Sequence, residues 1–378
     1  MNPPDYARFD DLLSPHEVAL RARLREFVRK EVLPLVAECY ERGAFPEPLI
    51  SRLAALGVFE EHAPVEDGLI AHELERGDAG LRSFVSVHSH LAGSAIRFFG
   101  SEEQGARYLP AMARGEMVGA FALTEPGHGS DPGSLETVAR RARGGYELDG
   151  HKRWATNGTI AGVTVVWARV PDEGQIRGFL VERGTAGFTP RPIEQKLSFR
   201  MSASSEILLE ACFVPEGQAL PGARGLGAPL RCLTEARYGI VWGTAGAAEA
   251  CFEEALAYAG QRVQFGRPLG GFQLTQAKLA DMYAAVVQAK LLAVHLGRLK
   301  ERGALHHTTV SLGKRTNVRH ALFVARTART ILGARGITAE SSTLRHAANL
   351  ETELTYEGTD EVHALILGRQ LTGLDAFR

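Results

Sequence analysis

The sequence predicts an α+β protein built in the order α, β, α. An N-terminal helical domain spans 1–120, a central antiparallel β-barrel or sandwich 121–224, and a C-terminal four-helix bundle 225–378. Three observations predict it. Helix caps and helically spaced apolar residues fill the first third. Glycine-punctuated runs of β-branched and aromatic residues fill the middle. Long segments with helical periodicity fill the remainder. At 378 residues, 45% hydrophobic and 23% charged, the chain has ordinary globular composition and room for two or three domains.

In the first block, Ser14-Pro15-His16-Glu17 is a capping box with proline at the first helical position. That helix should run to about Arg42, with a kink at Pro34. A second helix begins near Pro46 and can end at Gly57. Others cover about 66–78 and, more apolar, about 82–99. Ser101 with Gln104 forms a second capping box, and Gly115 follows its helix. In the second block, Asp149-Gly150 and Asn157-Gly158 read as hairpin turns. VTVVWARV (163–170), IRGFLVER (176–183) and SEILLEACFV (205–214) read as strands. No helices separate them, which argues against a doubly wound sheet. In the third block, helices are expected over about 228–262, 272–301 and 307–333, and a last one from Thr359.

The formal net charge is −1, without the basic balance of a nucleic-acid binder. The four cysteines are not spaced as zinc or thioredoxin pairs. No apolar run approaches the roughly 20 residues of a membrane helix. MNPPDYARFDD lacks an apolar signal core and is too acidic for a mitochondrial transit peptide. A cytoplasmic protein, without nucleic-acid partner or membrane insertion, is the expectation.

The local chemistry leaves alternatives open. FALTEPGHGSDPGS (121–134) offers bare main chain and the hydroxyls of Thr124, Ser130 and Ser134, for a polar ligand or as a plain connector. Pro132 breaks a dinucleotide-type glycine spacing. Trp154 and Thr156 lie two apart, on one strand face, and suit an aromatic cofactor or a buried turn. Arg262 and Arg267 flank Phe265-Gly266, for phosphate and base contacts or as a solvated loop. Arg82 and Ser86 are four apart on one helix face. Arg82 needs a carboxylate, either Glu75 or Glu73 from within or one on a substrate. Glu357, ahead of an apolar helix capped by Thr359, is either a base or a helix-end charge. The histidines have no metal-ligand spacing, so no metal site is expected.

The α–β–α order, TEPGHGSDP, the pair Trp154 and Thr156, RVQFGRPL and YEGT occur together along the chain. This ordered set resembles the acyl-CoA dehydrogenase family over essentially the whole length, and implies that family's fold. ELERGDAGLRSFVSVHS (73–89), ARYGIVWG (236–243), LRHAANLE (344–351) and YEGTDEVHALILGRQLTG (356–373) are most similar to the glutaryl-CoA dehydrogenases of that family.

The resemblance implies an FAD enzyme that converts glutaryl-CoA to crotonyl-CoA and CO2. Glu357 would be the α-proton base, with its own N–H and the flavin ribityl chain on the thioester oxygen. Arg82 and Ser86 would hold the far carboxylate, with Glu75 orienting the arginine. Tyr356 matches the decarboxylating pattern. Leu123, Thr124, Ser130, Trp154 and Thr156 would meet the flavin, with Ser130 also near the thioester. Arg262, Gln264 and Phe265 would reach FAD across a subunit interface, and Thr359 and Glu361 would lie near its adenine end. Arg237 would approach the CoA portion or support its site. A homotetramer and electron-transfer flavoprotein as electron acceptor are implied as well. Three departures from the family pattern stand out. Gly-Gly-x-Gly reads Gly333-Ala334-Arg335-Gly336, the segment from Gly57 to Glu73 is short, and Thr234 replaces a polar amide or acid. Two other readings stay open. One is a dehydrogenase for another short acyl-CoA, without decarboxylation. The other is a non-redox acyl-CoA-binding relative.

Overall fold

A computed structural model describes residues 7–377; the first six residues of the N-terminal stretch and Arg378 lie outside the described residues. The N-terminal block holds α1 (Pro15–Phe27), α2 (Leu33–Arg42), α3 (Leu49–Ala55), α4 (Pro64–Gly77), α5 (Ala79–Val85), α6 (Ser94–Phe99) and α7 (Glu102–Ala113). Both capping boxes form, on Ser14 with Glu17 and on Ser101 with Gln104. Two of the expected helices are interrupted by π-helical turns. Val28–Val32 separates α1 from α2, so Pro34 enters the first turn of a new helix. Ser86–Gly93 separates α5 from α6 and places Ser86 just past α5. Such turns insert one residue into the helical repeat and re-aim the helix beyond them.

The middle block has β1 (Gly119–Ala122), β2 (Val138–Ala142), β3 (Gly145–Thr156), β4 (Val163–Val170), β5 (Gln175–Glu182), β6 (Phe188–Pro192) and β7 (Ser204–Pro215). They form a seven-stranded sheet in the order β1-β4-β2-β3-β7-β6, with β5 also on β4. The sheet is mixed, which corrects the all-antiparallel expectation. β1 runs parallel to β4, and β2 touches β4 in parallel at Val138 and Arg169. Three adjacent pairs, β1 with β4, β4 with β2 and β3 with β7, are not consecutive in the chain. Asp149-Gly150 is a bulge inside β3, not a hairpin turn. Thr137 packs where a Gly150 side chain would stand. The turn from β2 to β3 is at Gly144, with φ 84°.

The last block holds α8 (Gly227–Gln261), the small hairpin β8 (Val263–Gln264) and β9 (Arg267–Pro268), α9 (Gln273–Glu301), α10 (His307–Leu332), α11 (Thr343–Thr355) and α12 (Asp360–Thr372). α9 is long and apolar enough to cross a membrane by length and composition, contrary to the expectation from the sequence. Here it packs against α8, α10 and α4. α8 is the central strut and buries Trp242 completely. An indole of that size contributes about 4–6 kcal/mol of hydrophobic burial as an upper figure. α4 lies against α8 at close range. Gly68 faces the Trp242 ring, and Gly246 faces the His72 carbonyl. A methyl at either position would stand within 2.2 Å of its neighbour.

Candidate active site

Four elements meet where α4 and α8 cross. Glu75 projects from α4, Arg82 from α5, Glu353 from α11, and Tyr356 and Glu357 from the turn joining α11 to α12. Gly243 on α8 makes the meeting possible, because a Cβ there would lie 2.1 Å from the Glu75 carboxylate. One turn earlier, a Cβ on Gly239 would have only Ser86 Oγ within reach, at 4.0 Å. The helix face beside Ser86 is therefore open space.

Arg82 is 2% exposed. Its Nε donates to Glu75 Oε2 at 2.7 Å and its Nη2 to Glu353 Oε1 at 2.9 Å. Nη2 also donates to the Tyr356 hydroxyl. Arg82 Nη1 and Ser86 Oγ are buried and take no hydrogen bond. Buried donors left unpaired are costly, and such a pair fits an oxyanion. Glu73, the other internal partner considered for Arg82, is instead bound to Arg25 at 2.9 Å and to His72.

Glu357 sits in the left-handed region with φ 53°, followed by Gly358 at φ 97°. A non-glycine residue there is strained unless its surroundings impose it. Two cations impose it. Arg237 Nε donates to the Glu357 carbonyl at 2.7 Å. Lys314 Nζ donates to the Tyr356 and Gly358 carbonyls, each at 2.5 Å. Glu357 Oε2 is enclosed and unpartnered. Burial pushes its carboxyl above the ordinary range, against the opposing pull of Arg82, Lys314 and Arg237. Burial likewise brings the Lys314 ammonium down to about 7.

A second group lies at the sheet. Leu123 is buried and its carbonyl accepts from Lys152 Nζ at 3.0 Å. The Thr124 carbonyl accepts from the Arg153 N–H at 2.9 Å. Ser130 is exposed in the glycine loop beyond them. Glu125 anchors that loop through Lys152 at 2.8 Å and the Thr137 N–H at 2.8 Å. Trp154 is 55% exposed with φ 65°, and buried Ala155 stands between it and Thr156, so the two share an outward side.

Arg262, Gln264 and Phe265 stand together on the exposed β8–β9 hairpin, apart from the Glu357 cluster, with Phe265 95% exposed. Thr359 caps α12 by accepting from the Val362 N–H at 3.2 Å. Glu361, with Asp360, Arg319 and Lys278, lines a groove between α9, α10 and α12. Ala334 is exposed on the surface turn after α10.

Sequence reasoning missed Glu353 and Lys314. Glu353 had no local signal, because it sits near the end of α11 and meets Arg82 from 271 residues away along the chain. Lys314 had none, because its partners are main-chain carbonyls more than 40 residues away.

Three family models match: Acyl-CoA dehydrogenase, N-terminal domain, over residues 14–116; middle domain, over 120–212; and C-terminal domain, over 223–372. The structure superposes on a glutaryl-CoA dehydrogenase from Mycobacterium smegmatis with a TM-score of 0.95 and 51% identity, over 98% of this chain and 99% of that one. It matches a second glutaryl-CoA dehydrogenase of Mycobacterium smegmatis, in complex with FADH2, with a TM-score of 0.96 and 45% identity, over 98% of both chains. An acyl-CoA dehydrogenase of Bacillus subtilis is 35% identical over 96% of this chain and 99% of its own length. Matched by all three domain models and by full-length relatives, the chain belongs to the acyl-CoA dehydrogenase family, whose members depend on FAD.

Proposed function

We propose that the enzyme oxidatively decarboxylates glutaryl-CoA to crotonyl-CoA and CO2. The observation that carries this reading is the unpartnered pair Arg82 Nη1 and Ser86 Oγ, buried beside the open space at Gly239. A carboxylate at the far end of an acyl chain would satisfy both with charge-assisted hydrogen bonds. The similarity to two glutaryl-CoA dehydrogenases supports the same substrate.

The residues present fit the flavin. The Trp154 indole is half open on a left-handed backbone beside Thr156. In the loop above it, Gly127 and Gly129 have no atom within 4 Å of where a Cβ would stand, so bare main chain is free to approach a ligand. Leu123, Thr124, Ser130, Trp154 and Thr156 would hold the ring system. Thr359 and Glu361 would hold the adenine end, and Arg262, Gln264 and Phe265 of a neighbouring subunit would complete the site in a homotetramer. When bound, FAD supplies the acceptor for the hydride leaving the substrate β-carbon.

The chain's own residues do the rest. Glu357 takes the α-proton, and its raised proton affinity suits it to a weakly acidic thioester. The left-handed turn presents the Glu357 N–H to the thioester oxygen, where negative charge develops. Arg237 and Lys314 fix that turn through its carbonyls. Arg82 and Ser86 align the far carboxylate. The oxidised acyl chain is a vinylogous β-carboxylate, and loss of CO2 leaves a delocalised anion. Protonated Glu357 returns its proton to give crotonyl-CoA. Electron-transfer flavoprotein is the electron acceptor we assign, in a cytoplasmic setting.

One observation favours a second reading. Arg82 already faces Glu75 and Glu353. If those satisfy it, the substrate is a short acyl-CoA without a carboxylate. Ser86→Ala separates the two. On the glutaryl reading it lowers kcat/KM for glutaryl-CoA roughly tenfold or more and leaves butyryl-CoA unchanged, as expected for about 1.5–3 kcal/mol from a hydrogen bond to a charged group. Equal small effects on both substrates would support the second reading.

A further inference from the structure

The pocket end marked by Arg82 holds one acid more than the proposed reaction uses. Glu353 is wholly buried and accepts from Arg82 Nη2 at 2.9 Å; Glu75, also wholly buried, accepts from Nε at 2.7 Å. One guanidinium thus faces two carboxyl groups. Their other oxygens, Glu75 Oε1 and Glu353 Oε2, are enclosed and receive no hydrogen bond from any other donor. Both carboxyl groups are held against the same buried guanidinium, one on Nε and one on Nη2. Ionised together in so dry a place they would repel; a single proton between them removes the repulsion and gives both free oxygens a partner.

The surrounding charges do not supply another solution. Asp78 and Glu357 add negative charge from the α4–α5 junction and the base turn. Arg237 and Lys314 are committed to the carbonyls of residues 356–358. The Tyr356 hydroxyl accepts from Arg82 itself. Burial raises the proton affinity of both acids, most of all Glu353.

We propose that Glu353 is a proton-holding positioning residue: it shares one proton with Glu75 across Arg82, so the guanidinium meets the substrate's far carboxylate with its own charge already balanced. This rests on the reading that Arg82 receives a carboxylate. A balanced arginine aligns the carboxylate through Nη1 without trapping its charge, which the loss of CO2 requires. A bound carboxylate also favours the protonated pair. Above the titration of the pair, binding must take the proton back, so it weakens as pH rises through that titration.

The test uses the FAD-loaded enzyme and the variants Glu353→Gln and Glu75→Gln. Infrared difference spectra of wild type minus Glu353→Gln should show a protonated carboxyl C=O band at neutral pH. Its absence in wild type overturns the shared proton. The Kd for glutaryl-CoA in wild type should rise with pH, by up to about tenfold per pH unit for one proton. In Glu353→Gln it should be flat, and for butyryl-CoA it should be flat in both proteins. Identical pH dependence of glutaryl-CoA binding in wild type and Glu353→Gln overturns the positioning role while leaving the substrate reading intact. A wild type that shows the carboxyl band but does not bind glutaryl-CoA sinks the substrate reading, and with it the positioning role. Should Glu353→Gln not fold, Glu75→Gln reports the same band and the same pH dependence from the other partner.

Discussion

Gly243→Ala adds one methyl where the structure has no room for it. The new Cβ would lie 2.1 Å from Glu75 Oε2 and 3.1 Å from Arg82 Nε. Ordinary van der Waals contact needs 3.4–4 Å, so the carboxylate must retreat by more than 1 Å. That breaks its 2.7 Å bond to Arg82. Breaking a buried ion pair costs about 3–5 kcal/mol. Replacing a helical glycine with alanine returns about 1 kcal/mol. The net expectation is a loss of about 2–4 kcal/mol. Chemical denaturation of the FAD-loaded protein measures it, with kcat/KM for glutaryl-CoA and butyryl-CoA alongside. Gly239→Ala, one turn away, is the matched control. Its methyl meets only Ser86 Oγ at 4.0 Å, so it should keep or slightly raise stability while selectively weakening glutaryl-CoA use. Equal stability of Gly243→Ala and wild type, with unchanged glutaryl-CoA kinetics, would refute the tight crossing of α4 and α8 as the device that seats Arg82.

Four further outcomes are expected. Glu357→Gln should lower kcat by about 10²–10⁴-fold, the typical worth of a general base, while acyl-CoA binding by calorimetry persists. Because the base must be ionised and burial raises its proton affinity, kcat/KM should fall with acid at a pH above the ordinary carboxylate range; a pH–rate profile checks this. Lys314→Met leaves two part-buried carbonyls short of a donor, at about 1 kcal/mol each, and removes a nearby cation. It should destabilise the protein to denaturant and move that acid limb upward. Trp154→Ala should weaken FAD retention by several-fold, in line with about 0.5–1.5 kcal/mol for an aromatic contact, as read by flavin titration of the apoprotein.

Much of this architecture was legible because local rules agreed with the tertiary outcome. Capping boxes at Ser14 and Ser101 and the cap at Thr359 satisfy main-chain N–H groups within one turn, so the residues that encode them lie side by side. β4 falls where its apolar run does. The sheet's parallel contacts were hidden, because pairing β1 with β4 joins residues more than 40 apart and leaves no local mark. Asp149-Gly150 misled for a related reason: glycine there answers to Thr137 across the sheet, not to a turn. At the candidate site, Glu357 and Arg82 were named through family likeness. The clamp of Lys314 and Arg237 on the turn at Glu357 was not, since lysine and arginine gripping carbonyls look like surface charges in a sequence. The short stretch after Gly57 forms a tight link into α4, opened by Pro64.

What leaves the active site separates decarboxylation from simple dehydrogenation. Anaerobic turnover of glutaryl-CoA with an artificial electron acceptor, then chromatographic separation of the thioesters and capture of CO2, tests it directly. The decarboxylating enzyme gives crotonyl-CoA and CO2 in equal amounts. Glutaconyl-CoA without CO2 would contradict the decarboxylating step. No turnover of glutaryl-CoA, with butyryl-CoA oxidised instead, would contradict the role of Arg82 and Ser86 as the carboxylate site.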